Sequence, residues 1–288
     1  MANLPKKYHS KVVSAEQLAV RWIETRTPRE MTIFNQLVDI THDIIAEAFS
    51  EKVITPGVTT TTEVEWWMRQ KVTDLGLETW FHPTVDVQRT SEELVGHLYS
   101  FSGRPDDEVI QRGDLLHCDF GITYLRLNTD CQELAYVLKP EETEAPAFLV
   151  NALYDGNRVQ DFLTQNMVKG LVGNDILAKA LQDAKDAGLR PAIYTHPLGS
   201  YGHSAGTTIG MWDAQGGVLK ADGENYPLNP TTAYAIELNT TVNIPEWNRD
   251  IRIMLEEAGF FGEDGFRYVN GRQTEFLLIP RPKSHLGN

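Results

Sequence analysis

Two aspartates stand eleven residues apart in a stretch that predicts a pair of β-strands. Asp119 lies in the apolar run 115–122, Asp130 precedes the β-prone run 133–138, and residues 124–128 provide the turn. In an antiparallel pair the residue numbers of opposed partners have a constant sum. If Asp119 lies opposite Asp130, that index sum is 249, and Cys118 then lies opposite Cys131. Facing carboxylates repel unless they hold a cation or share a proton, as in aspartic peptidases. One solvated Asp and one turn Asp is the structural alternative, and the hairpin alone does not decide.

Two glutamates add to this pair, each as the single ionisable residue of a predicted strand. Glu237 lies in the run 233–239, and Glu275 lies in the run 273–279. A buried ionised carboxylate costs several kcal/mol unless it is paired or bound to a metal. Either Glu alone is also explained as a surface residue of an edge strand. Together with the two aspartates, however, they make four acids in strands without Lys or Arg, and such oxygen-rich sites suit hard or borderline divalent metals.

The nitrogen ligand that would complete such a site is found in a glycine-rich loop, which reads HPLGSYGH from His196 to His203. Either histidine alone would more often be a surface or core residue. Two histidines seven residues apart in a flexible loop can converge on one site. One imidazole added to four carboxylates is the mixture expected of a dinuclear metal hydrolase.

The whole chain limits the classes of function. With 288 residues and a net charge of −14, it is a poor partner for nucleic-acid backbones and anionic membranes. No apolar run is long enough to span a bilayer, and the first residues contain no signal-peptide core. Two cysteines suit a reducing compartment, so we expect a cytoplasmic protein. The alternative is an exported protein whose signal peptide is absent from this sequence.

Helix signals precede the carboxylate-bearing strands. Thr27 begins a helix with a capping box, and residues 56–57 end it, while a second helix begins near Thr62. After the hairpin, residues 140–167 predict a long helix, and Asn174 is expected to cap another. The order is two helices and acidic strands, then two helices and acidic strands again.

This duplicated order favours an α+β fold. We expect one catalytic domain over residues 27–288, preceded by an arm or linker remnant at residues 1–26. No linker-like change of composition follows residue 30.

The ordered set of acids and histidine resembles the pita-bread metallopeptidases of the M24 type. These include methionine aminopeptidases, Xaa-Pro aminopeptidases and prolidases. The matching features are the Asp–Asp spacing, the tripeptide 119–121 (Asp-Phe-Gly), Ile-Glu at 236–237 and Gln-Thr-Glu at 273–275, and they extend over about residues 29–280. No single motif is strong, but five features in the right order are specific.

The resemblance implies two pseudo-symmetric α/β halves around a curved antiparallel sheet. It also implies two divalent metal ions, with Mn (manganese), Co, Zn and Fe as open alternatives, and small peptides as substrates. The implied metal ligands are Asp119, Asp130, His196, Glu237 and Glu275.

The resemblance further implies the mechanism, which is metal-assisted hydrolysis of the N-terminal peptide bond. Glu237 would bind metal and act as general base on a water held between the metals. His203 would bind the scissile carbonyl or the developing oxyanion. His97 would be a second substrate-binding histidine, and His117 shares a strand face with Asp119 and is a candidate to support the ligands.

Two departures from the family pattern concern the loop and the substrate. Prolidase-like members have His-Gly-Leu-Gly-His where this chain has His-Pro-Leu-Gly-Ser, so the ligand is either His196 or His203. We assign His196, because the family places a second histidine seven or eight residues later. Only the arm, with residues 22–27 (WIETRT), resembles the linker of Xaa-Pro enzymes, whose N-terminal domain has no counterpart here. Xaa-Pro cleavage is preferred over methionine aminopeptidase specificity, and a homodimer is compatible with the resemblance.

Two readings from other classes compete. The segment 202–206 (GHSAG) matches the nucleophile elbow of a serine esterase, with Ser204 as nucleophile and Asp250 and His285 following in the right order. The elbow requires a preceding strand and a following helix, and the flanking residues predict neither. A non-catalytic binding protein on the same fold is disfavoured because such relatives typically lose metal ligands.

Overall fold

The computed structural model describes residues 3–90, 107–218 and 225–281. Within these ranges the chain forms five α-helices, namely α1 Glu16–Glu24, α2 Pro28–Ala48, α3 Thr61–Asp74, α4 Ala147–Asn166 and α5 Gly173–Asp186. It forms twelve strands, namely β1 Glu78–Thr79, β2 Thr84–Gln88, β3 Leu115–Phe120, β4 Ile122–Tyr124, β5 Leu127–Asn128, β6 Cys131–Val137, β7 Pro191–Ile193, β8 His196–Leu198, β9 Thr232–Ile244, β10 Arg249–Gly262, β11 Gly265–Tyr268 and β12 Leu277–Ile279. Two short 3-10 helices lie at Lys6–Lys11 and Pro245–Trp247. No helix in the described part of the chain combines the length and apolarity that a membrane span requires.

The first helix pair begins as its sequence predicts. The Thr27 hydroxyl accepts a hydrogen bond from the Glu30 backbone N–H at 3.2 Å, and the Glu30 carboxylate accepts one from the Thr27 N–H at 2.7 Å. Thr60 and Glu63 form the same reciprocal pair before α3. Each cap satisfies backbone donors that have no partner inside the helix.

The second helix pair begins at different residues from those predicted. Helix α4 begins after Pro146, seven residues later than position 140, because residues 139–146 form turns and an irregular stretch. Asn174 does not cap α5, which follows Val172. The Asn174 side chain instead accepts a hydrogen bond from the Val218 N–H at 2.7 Å and joins the helix to a distant loop.

A nine-stranded sheet runs through the molecule in the order β2-β3-β6-β10-β9-β7, with β12 beside β6, β11 beside β10 and β8 beside β9. All pairings are antiparallel except that of β12 with β6. Strands β9 and β10 form its longest pair, from Thr232 to Ile244 and from Arg249 to Phe261. The α+β class and the large antiparallel sheet are therefore as expected.

The register of the first strand pair differs from the prediction. Asp119 lies opposite Gln132, and Cys118 lies opposite Glu133, so the index sum is 251 and not 249. A slip of two residues keeps every side chain on its predicted face, because the side-chain period of a strand is two. Cys118 and Cys131 thus share a face and are free, buried thiols, but they are not direct partners.

The cause of this slip is the connection, which is longer than a tight turn. Strands β4 and β5 form a small hairpin that pairs with β1 in a separate three-stranded sheet. Its two-residue loop, Leu125 and Arg126, has positive φ at both positions (51° and 67°). That is the backbone of a type I′ turn, and the sequence lacks the Asn or Gly that usually signals one.

Helices cover the sheet and bury two apolar cores. Consecutive strand residues pack into different layers, as Leu115 and Leu116 of β3 do. One core joins the sheet to α4 and α5, with members such as Leu153 and Ile236. The other joins it to α2 and α3, for example through Phe34. The rigid strands between these cores hold the polar side chains described next.

Candidate metal centre

Four polar side chains form a row across the middle of the sheet. Glu237 of β9 lies opposite Glu256 of β10, Glu256 lies opposite Gln132 of β6, and Gln132 lies opposite Asp119 of β3. Directly opposed residues have Cβ atoms about 4.5–5.5 Å apart, so three of these side chains bring carboxylates into one small region. Asp130 precedes β6 and joins the same group, with ligand atoms of Asp119, Asp130 and Glu256 all within 4.8 Å of one another.

Gln132 lies at the centre of the row and bonds to both glutamates. Its Nε2 donates to Glu237 Oε1 at 2.6 Å and to Glu256 Oε2 at 2.9 Å. Its Oε1 lies 2.9 Å from Nε2 of His117, and Nδ1 of that ring lies 3.0 Å from Oδ2 of Asp86. A buried chain of hydrogen bonds therefore fixes the orientation of the two carboxylates, and His117 reaches them through Gln132 and not by direct contact.

His196 brings an imidazole to the group from the neighbouring strand. It lies opposite Ala235 in the pairing of β8 with β9, which places its ring beside the Glu237 face. Its Nε2 is 3.6 Å from Glu237 Oε2, and it is 3.8 Å from an oxygen of both Asp130 and Glu256. These separations are longer than hydrogen bonds and are typical of ligands that surround a shared ion.

The electrostatics of the group require a cation or protons. Burial, followed by repulsion from Glu237, raises the pKa of Asp119 to about 8, and burial raises the pKa of Glu237 to about 8. Burial and neighbouring acids also raise the pKa of Asp130 and Glu256 well above their usual range. Among the ion pairs of the described residues, none joins these acids to Lys or Arg.

Unpartnered atoms show that the residues fit bound metal. Asp119 Oδ1, Asp130 Oδ1, Glu256 Oε1 and His196 Nε2 are all buried and without a hydrogen-bond partner. Leaving such groups unsatisfied costs about 1–3 kcal/mol each, and more for charged groups. Burial lowers the pKa of His196 to about 4, so its ring is neutral at physiological pH and able to bind a metal. Carboxylate oxygens and one imidazole are a donor set suited to divalent ions.

His203 lies at the exposed side of this group. Its ring centroid is 4.4 Å from that of His196 and 5.6 Å from that of Trp80. Trp80 donates a hydrogen bond from Nε1 to the Thr129 carbonyl at 2.8 Å, and a Cβ on Gly202 would lie 2.3 Å from its ring. The glycine therefore lets the loop close over Trp80 and brings His203 to the site.

The structure brings together four of the five predicted ligands, Asp119, Asp130, His196 and Glu237. Glu275 does not join them. It is exposed and lies before β12, which begins only at Leu277, so its predicted position inside a strand is wrong.

Glu256 takes the place that the sequence prediction gave to Glu275. The signal that could have identified it is the run 251–258 (IRIMLEEA), which contains two adjacent acids, Glu256 and Glu257, in an otherwise mostly apolar strand. Adjacent strand residues point to opposite faces, so one of the two had to lie on the face of Glu237.

The remaining predicted site residues have different outcomes. His97 and His285 lie outside the described residues. Ser204 lies in the stretch 199–206, which is neither strand nor helix, so the nucleophile-elbow context is lacking. Asp250, the proposed third member of that triad, is engaged with Arg190 at 2.6 Å.

Comparisons with known proteins agree with this geometry. The model of metallopeptidase family M24 matches residues 33–262. No curated protein shows significant sequence similarity to the chain.

The fold is similar to those of three solved structures. An X-Pro aminopeptidase from Thermotoga maritima MSB8 has a TM-score of 0.69 and 17% identity over 92% of this chain and 67% of its own. A recombinant prolidase from Thermococcus sibiricus has a TM-score of 0.66 and 14% identity over 96% of this chain and 70% of its own. The dipeptidase PepE from Mycobacterium ulcerans has a TM-score of 0.66 and 18% identity over 96% of this chain and 70% of its own.

At these identities the similarity to solved structures shows the fold, which is the pita-bread fold. The family model adds more, because it covers most of the chain and includes Asp119, Asp130, His196, Glu237 and Glu256. The members of this family generally use divalent metals and act on peptides. The chain belongs to metallopeptidase family M24 and is a peptide-bond hydrolase of that class.

Proposed function

We propose that the protein is a dinuclear metallopeptidase that cleaves the N-terminal peptide bond of small Xaa-Pro peptides. Three overlapping groups of potential ligands lie at this site. One of them, Asp130, His196 and His203, contains the exposed histidine, and the other two carry the two-metal part. His196, Glu237 and Glu256 form one, and Asp119, Asp130 and Glu256 form the other, with the ligand atoms of each group within 4.8 Å of one another. Glu256 belongs to both groups, as a carboxylate that bridges two ions would.

The charge of the ligand group also supports two metal ions. Four carboxylates and a neutral imidazole carry four negative charges when ionised, and two divalent ions neutralise them. Divalent ions at such a site supply Lewis acidity and an activated water when bound. Burial of all five side chains keeps bulk water from competing for the ligand atoms.

Glu237 is our candidate for the group that accepts a proton during hydrolysis. One of its oxygens is held by Gln132, and the other faces His196 at 3.6 Å. A buried carboxylate beside the ligand group can accept a proton from water and pass it to the departing amine. This role requires that one carboxylate oxygen stays oriented, which the Gln132 bond provides.

His203 is our candidate donor to the substrate carbonyl. It lies at the exposed side of the site, and its ring contacts His196 and Trp80 edge to face. A neutral imidazole donates one hydrogen bond to a developing oxyanion without adding charge to the group. Its position places it beside the ligands and accessible to substrate.

The preference for Xaa-Pro substrates rests on similarity. Two of the three similar structures above are an X-Pro aminopeptidase and a prolidase, and the arm at residues 22–27 resembles the linker of such enzymes. Methionine aminopeptidase specificity is the alternative that the substrate screen must distinguish.

The experiment combines metal exchange with two matched variants. Protein stripped with a chelator should lose hydrolysis of Xaa-Pro peptides and regain it with Mn²⁺ or Co²⁺, while Met-Xaa peptides should be poor substrates. Glu256→Gln should bind less metal and lose activity, because it removes the carboxylate that both ligand groups share. Glu275→Gln is the control and should keep both, since Glu275 is exposed and apart from the ligand groups.

Metal content is measured by mass spectrometry beside kcat for each variant. Full activity after chelation would refute the metallopeptidase mechanism for this chain. Loss of metal in Glu275→Gln with full metal in Glu256→Gln would instead support the ligand assignment made from the sequence. Faster cleavage of Met-Xaa than of Xaa-Pro peptides would refute the substrate class alone.

A further inference from the structure

A second group of potential metal ligands lies behind the sheet, away from the site above. His42 of α2, Cys131 of β6 and Glu257 of β10 place ligand atoms within 4.8 Å of one another. Glu133 of β6 adds a fourth, with Oε1 3.9 Å from Nε2 of His42. We call these four residues the rear cluster.

Strand alternation makes the rear cluster separate from the front site. Glu256 and Glu257 are adjacent in β10, and Gln132 and Glu133 are adjacent in β6, so one member of each pair faces each side of the sheet. Cys131 shares the face of Glu133. Three members of the rear cluster, Cys131, Glu133 and Glu257, thus directly follow the front-site residues Asp130, Gln132 and Glu256, and His42 joins them from α2.

The distances suit a tetrahedral ion. Nε2 of His42 is 3.0 Å from Glu257 Oε2 and 3.9 Å from Glu133 Oε1. With zinc-to-nitrogen and zinc-to-oxygen bonds of about 2.0 Å, tetrahedral geometry separates two ligand atoms by about 3.3 Å, which lies between these values. Small side-chain movements would therefore bring the ligands to bonding distance.

Burial and charge favour a cation at this place. Cys131, Glu257 and Glu133 are buried, while the His42 side chain is 18% exposed and leaves a path to solvent. Among the ion pairs of the described residues, the two carboxylates are joined to His42 and not to Lys or Arg. One imidazole beside two buried carboxylates leaves negative charge that a divalent ion would neutralise.

We propose that the rear cluster binds one Zn²⁺ ion, with Cys131, His42, Glu257 and Glu133 as ligands. Zn²⁺ accepts thiolate, imidazole and carboxylate ligands, and four protein ligands in a tetrahedron leave no open position for a substrate. Binding forms a Zn–S bond while the Cys131 thiol loses its proton to solvent, so charge and atoms balance. The ion would tie α2 to β6 and β10 behind the front site.

Cobalt substitution tests this proposal independently of the front site. Thiolate-bound Co²⁺ has an intense near-ultraviolet charge-transfer band, and the front ligands are oxygen and nitrogen only, so the band reports the rear cluster alone. Wild-type protein titrated with Co²⁺ should develop the band and lose it on addition of Zn²⁺. Cys131→Ser should lack it, and Cys118→Ser, the matched buried cysteine on the same face, should retain it.

A second pair of variants keeps the test valid if Cys131→Ser does not fold. His42→Gln should weaken or abolish the band, whereas His82→Gln, which alters a similar histidine–glutamate pair of 3.1 Å elsewhere, should not. Circular dichroism checks that each variant is folded. Absence of the band in Co²⁺-saturated wild-type protein, or its persistence in folded Cys131→Ser, would overturn the proposal. Either result leaves the peptidase assignment standing, because that assignment is tested by chelation and by the Glu256 variant.

Discussion

Gln132 offers the sharpest test of how this site is held together. It is not a candidate metal ligand, yet its amide donates to both Glu237 and Glu256 and accepts from His117. Gln132→Met keeps the length and volume of the side chain while it removes every hydrogen bond. We expect this variant to fold and to bind metal more weakly.

The size of the effect follows from the two donated bonds. A hydrogen bond to a charged group contributes about 1.5–3 kcal/mol, so the two bonds set an upper limit of roughly 3–6 kcal/mol. Bound metal also holds the carboxylates and therefore replaces part of that loss. Residues that support metal ligands typically change metal affinity or activity by about 10–100-fold, or about 1.4–2.8 kcal/mol, and we expect Gln132→Met in this range.

The assay is metal affinity by competition with a chromophoric chelator, beside kcat/KM for an Xaa-Pro peptide. Gln182→Met is the control, because Gln182 is an exposed helix residue whose side chain donates to Asp186 at 2.7 Å, far from the ligand groups. If Gln132→Met matches wild type in metal affinity and kcat/KM, the view that this amide orients the ligands is refuted. If metal affinity and kcat/KM fell equally in Gln182→Met, the effect of Gln132→Met would not come from the site.

Three further predictions concern the histidines, the serine and pH. His196→Ala should be metal-deficient, whereas His203→Ala should keep its metal and lose roughly 10²–10³-fold in kcat. Mass spectrometry measures the metal content and kinetics the turnover. The reverse result would make His203 the ligand. Ser204→Ala should keep its activity, and a fluorophosphonate probe should leave wild-type activity intact, so labelling of Ser204 with loss of hydrolysis would favour an esterase. In metal-free protein the pKa values of Asp119 and Glu237 are raised from about 4 to about 8. Denaturant titrations should therefore show the free energy of unfolding falling as pH rises through this interval, and added metal should remove the trend; stability that rises with pH would contradict the reasoning.

The sequence was informative wherever a local rule governs the structure. The capping box at Thr27 predicts the start of α2, because its hydrogen bonds lie within four consecutive residues. The faces of Asp119 and Glu237 follow from strand alternation, which needs no knowledge of the partner strand. The resemblance to the family, added to these rules, singled out four of the five acidic and histidine residues that the fold brings together.

Features that depend on residues far apart in the chain were harder to predict from the sequence. The register of β3 with β6 depends on the inserted hairpin, whose two positive-φ residues, Leu125 and Arg126, carry no glycine or asparagine signal. Gln132 has no charge and no metal-site motif, so its central position became visible only when β6 and β10 were paired. The contact of Trp80 with His203 was equally hard to predict, because more than a hundred residues of sequence separate them.

The sequence pointed to Glu275 and not to Glu256 for a physical reason, and the same reason shows how strand register fixes the carboxylate at the site. Glu275 stood alone in an apolar run, which is the usual sign of a buried acid, whereas Glu256 was accompanied by Glu257 and resembled a solvated pair. In the structure both members of that pair are buried, one on each face of β10. A slip of β10 by one residue would exchange Glu256 for Glu257 at the front site and send the other to the rear. Pairing with β9 over thirteen consecutive residues, from Arg249 to Phe261, opposes that slip, so the longest strand pair in the molecule also sets which carboxylate faces His196.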